Sequence, residues 1–398
     1  YYRPFGYACM QLDTAGSVKQ EAKVVAINKA FALELKHEIL AAHKDVEVTT
    51  INETHSASNV IAEEDETVLD RRNLDDLVIH GLTNNRVWIF LAGLAPFIEQ
   101  LASKFSDLMM MVGFNVHQYF EFEGKSGWQI LTTAAYLAIM IMIPITIFSI
   151  LGSIIAFHDF KLSKAGDKYI RRSGLFTKNE VTMRLSRLQM IVCQQDWLDK
   201  LLGRINLKFE QSNANFKNVQ AGQLSNKIIV PSVTRKECVF LMTDAYPDNQ
   251  QASIEFQRVS VRLLLRNLAL IWLPITSLIS YFALKNGALD TLPYLIFASL
   301  ILATLIIMSY IRWGWATDAN FIYVRKGCLG VNYYCFPIFK AQQTSFKQSW
   351  FLKRKQLCSI EFVLAAGSVT IPYIPQTNGY KLVDQVLYDV ESSKKSWM

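Results

Sequence analysis

Six histidines, at positions 37, 43, 55, 80, 117 and 158, and six cysteines, at 9, 193, 238, 328, 335 and 358, are the residues from which a metal or thiol centre would have to be built. Such centres place ligands a few residues apart, as in HExxH or CxxC, so that one local stretch of backbone presets part of the geometry. No histidine stands in that context, and no two cysteines form a CxxC pair. Gly124-Lys125-Ser126 has the ending of a phosphate-binding loop, but the glycine required five residues earlier is Tyr119. No GxSxG elbow is present and no pair of carboxylates occupies a plausible cleft. The expectation is a protein that is not an enzyme and that holds no metal and no cofactor.

Three other sets of residues carry chemistry of a weaker kind. Glu99 is an acid within the apolar run from Val87 to Ser103. A carboxylate at membrane depth marks a proton or ion path, or else it snorkels to the interface, and Lys104 five residues on favours the second. Arg171, Arg172, Lys178, Arg184 and Arg187 form a basic group that could face a lipid headgroup or a partner, or simply line the inner leaflet. Trp197 and Trp350 occupy matching places in two related segments, and a large aromatic repeated in this way is expected in a core.

The elements that must position these residues are dominated by hydrophobic runs. Half of the 398 residues are hydrophobic, and the stretches 126–157, 267–284 and 291–311 carry no charge. About 20 apolar residues suffice to span a bilayer. With the weaker run at 87–105, these make two hairpins: one of spans 87–105 and 128–157, the other of spans 265–284 and 291–311. Basic residues flank each hairpin, Arg71, Arg72 and Arg86 with Lys161 to Arg172 for the first, and Arg258, Arg262 and Arg266 with Arg312, Arg325 and Lys326 for the second. The connecting turns are poor in positive charge, so the flanks are cytoplasmic. The net charge of +7 is accounted for by this topology and needs no nucleic acid. Cysteines on that side stay reduced, so no disulfide is expected. The opening residues lack both an initiator methionine and the basic-then-apolar pattern of a signal peptide.

Between and after the hairpins the chain repeats itself. Tyr169 to Phe176 (YIRRSGLF) matches Tyr323 to Gly330 (YVRKGCLG), and the segment from Gln194 echoes that from Lys347, at an offset of 153 to 154 residues. Alternating apolar residues at Val181, Met183 and Leu185 and at Ile205, Leu207 and Phe209 predict strands. Val383, Val386, Leu387 and Val390 give one apolar helical face. Five to seven strands closed by such a helix make a small PH-like barrel. A third ending of the same kind opens the chain from Ala22. The acidic, polar stretch 45–72 reads as a flexible linker, and 211–226 as a long hairpin loop that is either a tolerated insertion or a binding loop.

The run YIRRSGLFTKNEVTMRLSRLQMIVCQQDWLDKLLGRINLKFEQS resembles the bacterial PH-like domain of the YdbT/YdbS membrane protein family. The matching positions are Arg172 and Gly174, Arg187 to Ile191, Gln195 to Gly203, and Leu207 to Phe209; the last copy departs with Lys340 for Arg187 and Gln356 for Gly203. The resemblance implies a chain truncated at its amino terminus, with residues 1–44 the end of a first PH-like domain and 45–72 a linker. Hairpin 73–158, PH-like domain 159–250, hairpin 251–312 and PH-like domain 313–398 would follow. The fold class is thus membrane α plus β, transmembrane helical hairpins alternating with PH-like small β-barrel domains each closed by a C-terminal helix. It further implies a multi-pass protein of the bacterial inner membrane with cytoplasmic domains. Its partners would be the phospholipid bilayer and a shorter YdbS-like membrane protein or a second copy of itself. The function expected is a non-enzymatic scaffold, which the resemblance links to envelope protection or antimicrobial-peptide tolerance. A transport or export component and an anionic-lipid sensor are the alternatives.

Overall fold

The computed structural model describes residues 7–12, 22–28, 66–84, 127–211, 227–285 and 292–392, with isolated positions between 30 and 38. Two compact units result: Arg72–Phe160 with Ser173–Leu175, and the remainder of the chain.

In the smaller unit, α1 (Leu74–Thr83) lies on the second half of α2 (Gly127–Phe157), a 31-residue helix without an acidic or basic side chain. Small residues set the approach: a Cβ on Gly81 would stand 2.5 Å from the Ile150 Cα. Ser149 Oγ donates to the Gly81 carbonyl at 2.6 Å and Ser153 Oγ to the Leu77 carbonyl at 2.8 Å, the short polar links typical of packed apolar helices. His80 is buried edge-on against Phe157 at 5.2 Å, an ordinary core histidine. The apolar run with Glu99 lies outside the described residues.

The larger unit opens with the antiparallel pair β1 (Tyr7–Leu12) and β2 (Ala22–Asn28). Two copies of one plan follow. In the first, β3 (Thr67–Arg71), β4 (Lys161–Ala165), β5 (Lys168–Ser173) and β6 (Asn179–Arg184) form a four-stranded sheet. Then come β7 (Leu188–Gln195), the single-turn α3 (Trp197–Leu201), β8 (Arg204–Gln211), β9 (Lys227–Thr234) and α4 (Arg235–Ala245), whose capping box joins Thr234 and Glu237. In the second copy, β10 (Gln257–Arg258) precedes α5 (Arg262–Asn267), α6 (Leu273–Lys285) and α7 (Leu292–Arg312). Then come β11 (Gly314–Thr317), β12 (Phe321–Lys326), β13 (Val331–Pro337), β14 (Gln343–Lys347), the single-turn α8 (Trp350–Lys353), β15 (Leu357–Leu364), β16 (Gly367–Pro375) and α9 (Gln376–Ser392), with β14, β15 and β16 forming a three-stranded sheet.

The stretch 67–71, expected to belong to a flexible linker, is a strand. Thr67 and Val68 pair with Lys164 and Ser163, and apolar or β-branched residues at 67–69 favour the pleat. Residues 45–65 of that linker, and the long loop 212–226, lie outside the described residues. One plane of α5–α6 is irregular: a π-turn over Leu268–Trp272 precedes Pro274. Proline removes an N–H donor, and a wider turn absorbs the mismatch.

From β4 to β8 the register of the first copy recurs in the second at an offset of 153 residues: Leu162 faces Arg171 as Trp315 faces Val324, and Cys193 faces Leu207 as Phe346 faces Ile360. The offset of 154 read from YIRRSGLF and YVRKGCLG is therefore one residue out over that strand, and a slip of one reverses the face of every side chain. Even irregularities repeat. Ser232 and Tyr373 both have φ near 50°, at bulges where Asn206 Oδ1 and Ser359 Oγ accept from their backbone N–H at 3.0 and 3.2 Å.

A single core of the second copy lies between its two sheets, with Trp315, Val324, Phe336, Ile360, Phe362 and Ile371 at its centre. Helix α9 closes it through Gly379, Leu382 and Val386, whereas Leu387 and Val390 are exposed. The apolar face is thus rotated by about one residue from the sequence expectation, because Gly379 is drawn against the sheet. A Cβ there would meet Cys358 Sγ at 2.3 Å and Phe346 Cε2 at 3.2 Å. Gly379→Ala should cost about 1–3 kcal/mol by overpacking, read as a lower urea midpoint, and adding Cys358→Ala should restore part of the loss.

Candidate functional site: a sheet joint between two domains

The strand order of the largest sheet is β10-β11-β12-β13-β7-β8-β9. Its first four strands belong to the second copy and its last three to the first, so the two domains share one seven-stranded sheet. The joint is the antiparallel pair β13–β7, with Val331 opposite Gln195, Tyr333 opposite Cys193 and Cys335 opposite Ile191. Strand β7 is consequently buried on both faces. Met190 and Val192 enter the core of the second copy, while Cys193 meets Cys238 (Sγ–Sγ 3.6 Å, two unbonded thiols) and Met242 of α4. The hydrogen bond with the Cys238 thiol, together with burial, pushes the Cys193 thiol well up, so it stays protonated.

Three further contacts fix the joint. A Cβ on Gly330 would lie 2.6 Å from the Gln195 carbonyl oxygen and 2.8 Å from the Asp196 Cα, so the β12–β13 turn reaches the backbone of the first copy. Tyr246, just after α4, packs on Phe321 at 5.1 Å. Lys340, buried after β13, donates to the Ser186 carbonyl ahead of β7. Desolvation lowers its pKa from 10.5 to about 8, partly opposed by Asp167.

The basic group expected to act together is dispersed. Arg171 faces inward and is only 2 % exposed; Nε and Nη1 have no hydrogen-bond partner among the described residues. It stands where the second copy has Val324, and burial lowers its pKa. A surface role for Arg171 is thereby corrected. Arg172, on the opposite face, is half-buried and pairs with Glu66 and, at 3.2 Å, with Glu180, and the Arg172 guanidinium holds the Glu66 carboxyl below its usual range. Lys178 is exposed in the β5–β6 turn, Arg184 ends β6, and Arg187 closes the turn before β7. Asp244 on α4 takes hydrogen bonds from Lys164 at 2.8 Å and Tyr169 at 2.5 Å, tethering that helix to the first sheet.

Trp197 and Trp350 are equivalent, as the repeat required, yet neither is in a core: they are 57 % and 66 % exposed. Each is the first residue of a helix of one turn, which has a single inward position, and that position is taken by Asp199 and Leu352. No group of three or more His, Cys, Asp or Glu side chains able to hold a metal occurs among the described residues. Sequence reasoning missed Met190, Val192 and Gly330, although the unbroken apolar run Met190–Cys193 is the signal of a strand buried on both faces.

A family model described as Bacterial PH domain matches residues 112–229 and again 263–390, together more than half of the chain. No curated protein and no solved structure matches it.

Two outcomes follow from the buried cations. Below pH 8 both folded and unfolded chains carry a charged Lys340, and the fold bears the full desolvation cost; between about 8 and 10.5 the folded chain releases a proton that the unfolded chain keeps, so stability rises with pH. Against Lys340→Met, wild type should therefore gain urea resistance from pH 7.5 to 10, by at most about 3 kcal/mol; a difference that stays level over that range overturns this account. Arg171→Met should leave thermal stability unchanged or raise it, since a buried charge is lost whose Nε and Nη1 have no partner among the described residues to be stranded.

Proposed function

Because the chain belongs to the bacterial PH domain family, with two copies in tandem, we propose that it is a non-enzymatic, multi-pass scaffold of the bacterial inner membrane. In this reading it presents its PH-like domains, on the cytoplasmic side, to a membrane-protein partner. The observation that carries the membrane part is the pair β10–β11: Gln257 and Arg258, before α5, lie opposite Trp315 and Gly314, after α7. A segment whose two ends meet in one ladder must cross a bilayer an even number of times, and two helices in it, 262–285 and 292–312, are long and apolar enough to cross. At 1.5 Å per residue they reach roughly 36 and 31 Å, against a hydrocarbon core of about 30 Å. Leu270, Leu278, Ile296, Phe297 and Leu300 are exposed on them, a surface that lipid would cover. Trp272 Nε1 donates to the Ser299 carbonyl at 3.0 Å, holding the two helices together.

The scaffold part is supported by the joint. Two domains locked in one sheet offer a partner a composite surface of fixed shape, on which edges and helix faces are the usual docking elements of such folds. The finer likeness to the YdbT/YdbS family adds the expectation of a shorter relative, or a second copy, as the partner, and of a role in envelope protection or antimicrobial-peptide tolerance.

Lysine-directed crosslinking in native membranes, followed by mass spectrometry of the detergent-extracted protein, tests this. One stoichiometric membrane-protein partner linked through the exposed Lys353, Lys355 or Lys381 is the expected result. Recovery of the protein with lipid alone would overturn the scaffold and favour lipid sensing or transport.

A further inference from the structure

Helix α3 is polar inside and apolar outside. Its inward residue, Asp199, is fully buried and accepts from Asn206 Nδ2 at 2.9 Å, while Trp197, Leu201 (75 % exposed) and Leu202 point outward beside the exposed Lys200. The equivalent α8, whose inward residue is the apolar Leu352, also turns large apolar side chains outward, Trp350 and Phe351 (76 % exposed), followed by Lys353, Arg354 and Lys355. In water this inversion exposes the residues most costly to hydrate.

The contacts of α3 show what lies beside it. Asp196, its N-cap, touches Gly330 of the β12–β13 turn. Arg312, the last residue of α7, donates to the carbonyls of Leu329 and, at 2.8 Å, Gly330 in that same turn. The turn also reaches further along α7, with Cys328 Sγ 3.4 Å from the Leu305 carbonyl. Leu305 precedes Arg312 by seven residues, which is about 10 Å along the helix. If α7 crosses the bilayer with Arg312 at its inner surface, the β12–β13 turn enters the interfacial zone and carries Leu329 with it. The smaller unit repeats the arrangement: Gly174 N donates to the His158 carbonyl at 2.8 Å and Leu175 N to the Ile155 carbonyl at 3.0 Å, so the β5–β6 turn lies along the end of α2.

We propose that Leu329 of the β12–β13 turn, Trp197 and Leu201 of α3 and Leu202 just after it form an apolar rim that sits in the boundary between headgroups and acyl chains of the inner leaflet. The partner is the phospholipid bilayer. Tryptophan suits that zone because its ring is amphipathic, and Lys200 stands where it meets anionic headgroups. The rim fixes the height of the joined domains above the membrane, so that their shared sheet is held rather than swung on the hairpins. This inference rests on the membrane reading of α5–α7.

The test is fluorescence of an environment-sensitive dye attached at single cysteines, in full-length protein with Cys9 and Cys328 replaced by Ser. The protein is reconstituted in vesicles of zwitterionic and anionic phospholipid with brominated acyl chains. Leu201→Cys and Leu329→Cys report the rim, Leu300→Cys the middle of α7, and Ala319→Cys the opposite end of β12. The expected result is a blue-shifted, quenched signal at 201, 329 and 300 with a bright signal at 319. Quenching at 300 with 201 and 329 as bright as 319 would overturn the rim and leave the spanning helices standing. A bright signal at 300 as well would remove the membrane reading, and the rim with it.

Discussion

The hydrogen-bonded ladder between β13 and β7 is the constraint on which the arrangement of the larger unit depends. A strand at a sheet edge presents a row of unpaired N–H and C=O groups, and proteins cover, charge or shorten such edges. Here the second copy covers the edge of the first, and the cover is more than backbone: Met190 and Val192 leave their own domain to complete the core of the next. Neither domain's core is then independent of the other, because removing the second copy would expose one face of β7, and removing the first would take two residues out of a packed interior. Lys340 and Gly330 act at the two ends of the same ladder, one by reaching a carbonyl across it and the other by having no side chain where two backbones meet.

Much of this was legible in the sequence. Apolar alternation located β6 and β8, the uncharged runs located α2, α6 and α7, and self-similarity gave the two copies. The ladder was not legible, because pairing between strands some 140 residues apart in sequence leaves no periodic trace; only the double-sided apolar run of β7 hinted at it. The face of β5 was lost for a different reason. Similarity aligned Tyr169 with Tyr323, whereas the ladders align Tyr169 with Ile322, and in a strand one residue decides between core and solvent. Arg171 therefore appeared to share a surface with Arg172 when it occupies the position of Val324. Trp197 and Trp350 were assigned to cores because bulk usually goes inside, but a one-turn helix cannot turn its first residue inward while its third is the one that packs.

The two copies are not equivalent at their edges. Strand β14 has the place in the second copy that β7 has in the first, and Gln343 and Ser345 stand where Met190 and Val192 stand. Polar side chains at those positions cannot supply a neighbour's core as β7 does, so β14 is not built as a second joint of that kind. Its inward residue, Phe346, is instead stacked on Tyr380 of α9 at 5.0 Å, serving its own domain.

Buried cations complete the contrast between the copies. Arg171 replaces a core valine and Lys340 is buried at the joint, and both raise the free energy of the folded state unless their polar groups are met. Lys340 is met by the Ser186 carbonyl, and its cost falls on the contact that joins the domains, so the joint is weaker at neutral pH than its apolar contacts alone would make it. A stronger joint was available to this sequence through any apolar residue of similar length at 340. The lysine trades that strength for direction: a donor that must find one carbonyl fixes where the second copy sits on the first, which two sliding strand edges and a few methyl groups would not do.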